Sequence, residues 1–418
     1  MIINAPKGTI DITPKEVYKW HYIENKLREI SDTFNFKEIR TPNFEHTELF
    51  LRGVGDTTDV VSKEMYTFLD KGERSITLRP EGTAGAARSF IETGMYAESQ
   101  PTKLYYIIPC YRYEKPQAGR LREFRQFGVE MYGSQDPSCD AEVISIAKSI
   151  FNELGITKLQ LNINNIGCPE CRKKYNEKLK AFLESKKDEL CATCKERLYK
   201  NPMRIFDCKS EICQSIIKDA PTMFDNVCDS CKDHFDSVLK YLDCMDIEYK
   251  IDKGIVRGLD YYTKTVFEFV STDIGAQGTV CGGGRYDNMI EEIGGKPCAG
   301  MGFGLGLERL ILVLEKLGIK FPKEDRIKIF IASLDKESDL FATKLVSDLR
   351  KNGVKAEKDF LGRTLKAQLK YANKVNAENT VVIGEEEIKN NQYNLKNMDL
   401  GETEILNYNE LLNKFGGK

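Results

Sequence analysis

The first third of the chain passes from a helical hydrophobic period to a strand-like one, and this limits the folds open to it. At residues 15–34 apolar side chains recur every three or four positions, which predicts a helix with one buried face. β-rich segments follow at Tyr66–Leu69, 76–78 and 103–113, and residues 121–133 alternate polar and apolar. This order indicates helices combined with an antiparallel sheet rather than repeating β-α-β units.

Residues 165–250 differ in composition from the stretches around them. They are rich in lysine and cysteine and predict helical pieces, so we interpret them as an insertion. Strand character resumes at 261–270, and an apolar helix is predicted at 305–317. Gly318 and Pro322 then indicate a linker.

The tail alternates between strands and helices. The predicted elements are strands at 327–334, 354–357 and 380–383 and helices at 338–351 and 365–373. Such alternation predicts a small α/β domain with a largely parallel sheet. The expected domains are residues 1–325, interrupted by the insertion at 165–250, and residues 326–418.

Charge identifies no partner for the chain as a whole, because 62 basic residues stand against 64 acidic ones. Residues 172–218 and 326–376 are each locally basic, at net +6 (13 − 7 and 12 − 6). Phosphate contacts need such patches, and solvated helix faces have the same composition. The sequence contains no apolar run of 18 residues and no signal-peptide pattern, so we expect a cytosolic protein without a membrane span.

The segment YRYEKPQAGRLREFRQFGVEMYG, residues 111–133, holds the densest set of candidate binding side chains. Guanidinium groups bind phosphate oxygens in pairs, and a planar aromatic ring can stack on a base. The alternative is a hairpin with a solvated charged face. The candidates are Arg112, Arg120, Arg122, Arg125, Glu114, Phe124, Gln126 and Glu130.

Two further segments carry polar groups next to predicted elements. In LRPEGTAGAAR (78–88), Glu81 and Thr83 follow a strand, where a carboxylate and a hydroxyl suit an amino group; an exposed turn is the alternative. GFGLGLERL (302–310) joins glycines to a helix that carries Arg309, or its glycines serve close helix packing. It lacks the GxGxxG spacing, and the chain has no GxxxxGK[ST] loop, so folds built on those loops are disfavoured.

RGLDYYTKTVFE (257–268) leads into a strand with one arginine and two tyrosines. Arg257 suits a carboxylate or phosphate, and Tyr261 or Tyr262 suits a polar ring; an Arg–Asp pair with packing tyrosines is the alternative. In GGGRYD (282–287), the absence of side chains would let a ligand lie against the backbone, or the run is a tight turn.

Taken together and in this order, these segments resemble the catalytic domain of class II aminoacyl-tRNA synthetases, and in particular the histidyl-tRNA synthetase family. TPNFEHTELF (41–50) resembles motif 1 at the dimer interface, YRYEK (111–115) motif 2, and GFGLGLERL motif 3. RGLDYYTKTVFE and GGGRYD are similar to the segments peculiar to the histidyl enzymes, and LRPEGTAG to their amino-group loop. The opening KGTIDITP is also similar. Tyr113 departs from the family's usual histidine, at a position without an implied contact.

The resemblance implies an α+β catalytic domain of class II type, a Cys-rich helical insertion and a C-terminal α/β anticodon-binding domain. It implies a cytoplasmic homodimer that activates L-histidine with ATP and Mg²⁺ and transfers it to the 3′ end of tRNA(His).

The resemblance also implies a role for each matching residue. For ATP, the implied contacts are Arg112 with the α-phosphate, Glu114 with the adenine, Phe124 stacked on that ring, Arg120 facing the triphosphate and Arg309 on the γ-phosphate. For histidine, they are Glu81, Thr83 and Gln126 with the α-ammonium group, Glu130 and Tyr262 with the imidazole, and Tyr261 lining the same pocket. Arg257 and Arg112 would be catalytic, with Arg257 between the substrate carboxylate and the α-phosphate.

Two other interpretations compete with this one. A non-catalytic relative that regulates ATP phosphoribosyltransferase resembles the catalytic domain and lacks the anticodon-binding domain, whereas residues 326–418 are present here. A zinc-dependent RNA-binding module would use the cysteines and basic patches, and it leaves the catalytic motifs unexplained.

Eight of the thirteen cysteines fall in four close pairs, which favours metal over disulfide in a reducing compartment. The spacing predicts one tetrahedral zinc site from the first two pairs and a second from the last two. The zinc would clamp an insertion with little apolar core of its own; the alternatives are reduced cysteines or a redox-active pair. The two predicted sets are Cys168, Cys171, Cys191 and Cys194, and Cys208, Cys213, Cys228 and Cys231.

Overall fold

The computed structural model describes residues 3–55, 58, 60–200, 202–206, 208, 210–255, 258–271, 279–323 and 325–415. The chain divides into two compact units, Met1–Pro322 and Lys323–Lys418. Among the described residues, no helix combines the length and apolar character needed to cross a membrane.

The larger unit is built on an eight-stranded sheet in the order β1-β5-β6-β11-β10-β9-β7-β8. All neighbours are antiparallel except the edge pairs β1/β5 and β7/β8, which confirms the predicted antiparallel core. A smaller antiparallel sheet has the order β2-β4-β3. The strands are β1 (Lys37–Glu38), β2 (Phe44–His46), β3 (Tyr66–Leu69), β4 (Ser75–Leu78), β5 (Thr102–Tyr111), β6 (Glu123–Tyr132), β7 (Leu159–Asn165), β8 (Lys250–Ile251), β9 (Thr263–Ser271), β10 (Thr279–Arg285) and β11 (Gly300–Gly306).

Helices cover this sheet and form the stretch between β7 and β8. They are α1 (Val17–Thr33), α2 (Thr47–Val54), α3 (Thr83–Glu92), α4 (Pro137–Glu153), α5 (Pro169–Glu184), α6 (Ala192–Lys200), α7 (Glu211–Ile217), α8 (Asp229–Cys244), α9 (Met289–Glu292) and α10 (Leu307–Lys316). Single turns of other helix types are Val60–Glu64, Met95–Ala97, Lys187–Glu189, Pro202–Ile205 and Phe224–Asn226.

Strand β6 shows how the period of two divides the sheet into a core face and a site face. Phe127, Val129 and Met131 point into the apolar core that α1, α4 and α10 also line. The even-numbered residues of the strand, among them Gln126 and Glu130, therefore lie on the opposite face.

The insertion is helical, as predicted, yet it has an apolar core, so the expectation of little core was wrong. Tyr175, Leu179 and Leu183 of α5 are buried with Leu198 of α6 and Ile205. The Lys-rich composition hides this because the apolar positions of α5 recur at four-residue intervals on a single face.

The smaller unit carries a five-stranded sheet in the order β13-β12-β14-β15-β16. The first three strands are parallel, as the alternation predicts, and β15 and β16 extend the sheet antiparallel. An Asp335 capping box starts its longest helix. The elements are β12 (Ile329–Ser333), α11 (Lys336–Lys351), β13 (Ala356–Lys358), α12 (Leu365–Lys374), β14 (Asn379–Ile383), α13 (Glu385–Asn390), β15 (Tyr393–Asn397), β16 (Thr403–Leu406) and α14 (Tyr408–Phe415).

Candidate active site

The glycines of β11 make room for the polar side chains of β6. The register places Gly302 beside Glu130 and Gly304 beside Gly128. A Cβ on Gly302 would lie 2.0 Å from Oε2 of Glu130, and one on Gly304 would lie 2.3 Å from Nε2 of Gln126. These glycines therefore let the two β6 side chains lie across the neighbouring strand, a role that the sequence pattern did not reveal.

The five residues predicted to bind ATP, together with Gln126, which was predicted to bind histidine, line one pocket of about 390 Å³ on this face. They are Arg112, Glu114, Arg120, Phe124, Gln126 and Arg309. Arg112 donates to the carbonyl oxygen of Pro80 at 2.8 Å and lies 5.4 Å from the ring centre of Phe124. Glu114 lies between two of the arginines, 3.9 Å from Arg112 and 3.4 Å from Arg120. Three arginines therefore line a pocket that also holds the carboxyl groups of Glu114, Glu268 and Glu308, and guanidinium groups are the side chains that bind phosphate oxygens in pairs.

Arg309 enters the pocket from the start of α10, where it donates to the carbonyl oxygen of Thr279 at 2.6 Å. Burial lowers the pKa of Arg309, and the nearby charges of Arg120 and Arg112 lower it further. Glu114 and Glu268 raise this pKa, but burial and the like charges of Arg120 and Arg112 outweigh them, a cost that an anionic ligand would relieve. The preceding Glu308 is buried and accepts the N–H of Arg125 at 2.9 Å, so it is not the solvated partner that the motif also allowed.

Glu81 and Thr83 lie at the start of α3, next to the same sheet face. The Glu81 carboxylate accepts the N–H groups of Thr83 at 2.7 Å and Ala84 at 2.8 Å. Burial raises the pKa of Glu81 despite these hydrogen bonds. Gln126 accepts the N–H of Gly82 at 3.0 Å, which ties β6 to this helix start. The structure thus brings the three predicted ammonium-binding residues together.

Glu130 lies deeper, fully buried between two tyrosine hydroxyls. Tyr106 donates to one carboxylate oxygen at 2.9 Å, and Tyr286 donates to the other. Burial raises the pKa of Glu130 to about 8. Tyr261 packs edge-on against Tyr286, with ring centres 5.5 Å apart, and its ring centre is 4.5 Å from that of Tyr262. Both predicted pocket tyrosines are therefore buried, and Tyr261 packs on the tyrosine that hydrogen-bonds Glu130.

The sequence analysis did not identify Tyr106 and Tyr286 as the hydrogen-bond partners of Glu130. Tyr106 lies opposite Gly128 on β5, and a Cβ at Gly128 would meet its hydroxyl at 2.4 Å. The sequence signal that could have identified Tyr106 is its pairing with a glycine on the neighbouring strand, which leaves space for its ring. Next to Tyr286, fully buried Arg285 forms an ion pair with Asp140 of α4 and donates to the carbonyl oxygen of Ser134 at 2.9 Å.

The Asp140 carboxylate also lies near the insertion, 3.4 Å from the His234 ring of α8. Burial alone would raise its pKa, and Arg285 together with His234 instead lowers it to about 2. The ionised pair fixes the end of β10, from which Tyr286 reaches Glu130. Arg257, predicted to be catalytic, lies outside the described residues.

The eight paired cysteines form two compact quartets, and the predicted grouping was wrong. The outer quartet is Cys168, Cys171, Cys228 and Cys231, and the inner quartet is Cys191, Cys194, Cys208 and Cys213. The first pair meets the last because the insertion leaves β7 and returns at β8, and these two strands are neighbours. The sequence-based prediction grouped cysteine pairs that are neighbours along the chain and did not take this return of the chain into account.

Within each quartet the four sulfur atoms lie within 4.8 Å of one another. Sulfurs about 2.3 Å from a tetrahedrally bound zinc ion stand roughly 3.8 Å apart, and the Sγ–Sγ distances include 3.5 Å for Cys168–Cys171 and 3.8 Å for Cys191–Cys208. All thirteen cysteines are free thiols. Backbone N–H groups point at the sulfurs, with Cys228 donating to Cys171 at 3.0 Å. Each quartet therefore fits a four-thiolate metal site.

Comparison with known proteins gives one consistent result along the chain. Residues 8–310 match the model of the histidyl-tRNA synthetase family, and residues 328–418 match that of the anticodon binding domain. The histidine–tRNA ligases of Acetivibrio thermocellus and Clostridioides difficile are 57% and 55% identical, the first over 99% of both chains and the second over 100%. A crystal structure of apo S. aureus histidyl-tRNA synthetase is 42% identical and covers 100% of both chains, with a TM-score of 0.85.

Proposed function

The chain belongs to the histidyl-tRNA synthetase family and attaches histidine to its tRNA, and we propose that the site face of β6 and β11 binds both small substrates. The observation that carries this proposal is the position of Gln126, which lines the pocket with the three arginines and also accepts the N–H of Gly82, next to the buried Glu81 carboxylate. ATP would occupy the arginine end and histidine the end at Glu130. The match of an anticodon binding domain disfavours the regulatory alternative, which lacks one.

At the ATP end, the three arginines that line the pocket would hold the triphosphate. Arg112 would bind the α-phosphate and Arg309 the γ-phosphate, with Arg120 also facing the phosphates, while Phe124 stacks on the adenine and Glu114 contacts it. Class II synthetases use Mg²⁺ with ATP, and this ion prefers carboxylate and phosphate oxygens. Glu268, which accepts from Thr279 at 2.9 Å, lines the pocket and supplies such an oxygen.

At the other end, Glu81, Thr83 and Gln126 would hold the α-ammonium group of histidine. Burial raises the pKa of Glu81 and so disfavours its charged form. The positive ammonium group would compensate this cost by pairing with the ionised carboxylate. Glu130 and Tyr262 would hydrogen-bond the imidazole, with Tyr261 lining the pocket. A competitor without those hydrogen bonds leaves buried groups unpaired, and discrimination of about 10⁴–10⁵ is then attainable without editing.

The reaction needs positioning and charge stabilisation more than proton transfer. The histidine carboxylate attacks the α-phosphorus and pyrophosphate leaves; the 3′-terminal hydroxyl of the tRNA then attacks the adenylate carbonyl and AMP leaves. Arg112 and Arg257 would neutralise the charge that develops at the α-phosphate. No general base is required for the first step.

The smaller unit offers a surface that suits the anticodon. Phe360 is 67% exposed and lines one groove with Lys336, Lys358 and Arg363, of which Lys358 pairs with Asp339 and Arg363 with Asp359. Unpaired bases stack on exposed aromatic rings while basic side chains contact the phosphates. We propose that tRNA(His) presents its anticodon loop here.

We propose that the ligase acts in the cytoplasm. We also propose that it forms a homodimer through the three-stranded sheet. Phe44 of β2 and Phe68 of β3 lie on one face of this sheet, 57% and 48% exposed, where they flank Leu78 and Ile76 of β4. Sedimentation should give a dimer, and Phe44→Glu with Phe68→Glu should give monomers; a monomeric parent protein would contradict the proposal.

Each cysteine quartet would hold one structural zinc ion, because sulfur spacing, thiol state and N–H···S bonds all fit that metal. Protein purified without chelators should contain two zinc ions per chain by elemental analysis. A metal-free preparation of full stability would refute the proposal.

The decisive test of the function is amino-acid-dependent exchange of pyrophosphate into ATP. Histidine should support exchange, and the other standard amino acids should not. Exchange without selectivity, or none with histidine, would contradict the assignment of the pocket.

A further inference from the structure

The outer cysteine quartet is hydrogen-bonded to β7 and to β9, the strand that begins directly after the pocket residue Tyr262. Asn165, the last residue of β7, donates from Nδ2 to the carbonyl oxygen of Cys231 at 2.8 Å. Lys264 of β9 donates its N–H to the carbonyl oxygen of Gly167, next to Cys168, at 2.8 Å. The quartet therefore lies at the base of the insertion, with Cys168 three residues after the end of β7.

Arg172 connects this quartet to the pocket. It follows Cys171 directly in the first turn of α5, and its guanidinium donates to the carbonyl oxygen of Asp260 at 3.0 Å and to that of Tyr262. Those two carbonyl groups flank Tyr261, whose ring packs on the Glu130 partner Tyr286. Arg172 thus holds the backbone on both sides of a pocket tyrosine.

The start of α5 is held by backbone hydrogen bonds and by the burial of Cys171, without a side-chain cap. Cys168 is the N-cap residue, and its side chain makes no capping hydrogen bond to the helix. Cys168 and Cys171 lie in the same turn as Arg172, so a metal bound to both would fix the direction in which the arginine leaves the helix.

We propose that the metal of the outer quartet positions the histidine pocket, with Arg172 as the positioning residue that holds the Tyr261–Tyr262 backbone. This rests on the zinc ions and the histidine pocket proposed above. The inner quartet, which closes the distal part of the insertion, has no such connection among the described residues. The two metal ions therefore have different functions although their ligands are alike.

The first test compares Arg172→Met with Lys173→Met, an exposed neighbour on the same helix. Hydrogen bonds from a charged group are worth about 1.5–3 kcal/mol, so Arg172→Met should raise the KM for histidine about 10- to 100-fold in tRNA-free pyrophosphate exchange. The KM for ATP and the zinc content should stay unchanged, Arg172→Lys should recover part of the loss, and Lys173→Met should match the parent.

The second test compares the two quartets. Cys168→Ser with Cys228→Ser should remove one zinc ion and raise the KM for histidine in the same selective way. Cys191→Ser with Cys208→Ser, two positions of the inner quartet that are likewise not buried, should also remove one zinc ion and leave that KM unchanged.

Each failure has a separate meaning. A parent protein without histidine-dependent exchange refutes the proposed pocket, and one without zinc refutes the metal. With both present, an unchanged histidine KM in Arg172→Met, or equal changes in the histidine and ATP KM values, overturns the role of Arg172. Outer-quartet variants that lose zinc and keep the parental histidine KM overturn the role of the metal.

Discussion

Glu130 is a carboxyl group that the fold buries completely between the hydroxyls of Tyr106 and Tyr286. Burial raises its pKa to about 8, so the folded protein keeps a proton that the unfolded chain releases near pH 4 to 5. Stability should consequently fall as pH rises from that lower value to about 8, and then level off. The ionised form of Glu130, which can accept the imidazole N–H, therefore lowers the stability of the folded protein when histidine is not bound.

Replacing Glu130 with glutamine should remove this pH dependence. The free energy of unfolding of the parent, relative to Glu130→Gln, should fall by at most about 1.4 kcal/mol per pH unit between pH 5 and 8. Thermal unfolding of both proteins without substrates measures it. Parallel pH profiles would show that Glu130 does not titrate there. Histidine-dependent exchange should be largely lost in the variant.

Gly302 is the matching position on β11, where even a methyl group would displace the Glu130 carboxylate. Gly302→Ala should abolish histidine binding measured by calorimetry without ATP. Gly306→Ala, at the end of the same strand, places its Cβ where no atom lies within 4 Å and should retain histidine binding. Equal histidine affinity in the two variants would show that the pocket tolerates a shifted Glu130.

At the scale of elements, the sequence predicted the helices and strands that have a strong hydrophobic period. It missed elements and contacts that form only when distant parts of the chain pair with each other. Strand β3 (Tyr66–Leu69) has the predicted bounds, and α12 begins at the predicted Leu365. β16 was missed because it is four residues long and largely exposed, and it forms by pairing with β15 at the edge of the sheet. The Tyr106–Glu130 contact depends on register across strands, which no local pattern contains.

The nested grouping of cysteines predicts how paired substitutions affect metal content. Cys171→Ser with Cys231→Ser changes one quartet and should lower zinc from two ions per chain to one. Cys171→Ser with Cys194→Ser changes both quartets and should lower it to none. Elemental analysis of the two proteins distinguishes nested from sequential pairing, since sequential pairing reverses the two results.

At the scale of the whole molecule, each unit has its own apolar core, so substrate activation and tRNA selection are separable. The smaller unit buries Ile329, Leu345 and Leu349 among its own elements. A chain without residues 323–418 should fold and activate histidine in pyrophosphate exchange. Because stacking on exposed side chains is worth about 1–3 kcal/mol per base, its charging of tRNA(His) should fall at least about tenfold. Undiminished charging would place anticodon recognition elsewhere.

The nesting of the quartets also sets an order of assembly during synthesis on the ribosome. The inner quartet is complete once Cys213 has emerged, before Cys228 and Cys231 exist. Loop-closure entropy grows with the length of chain enclosed, so the long loop between Cys171 and Cys228 is costly to close while its middle is unfolded. Closing the inner loop first shortens the path that the outer one must span. The two ends of the insertion therefore meet last, when β8 arrives beside β7.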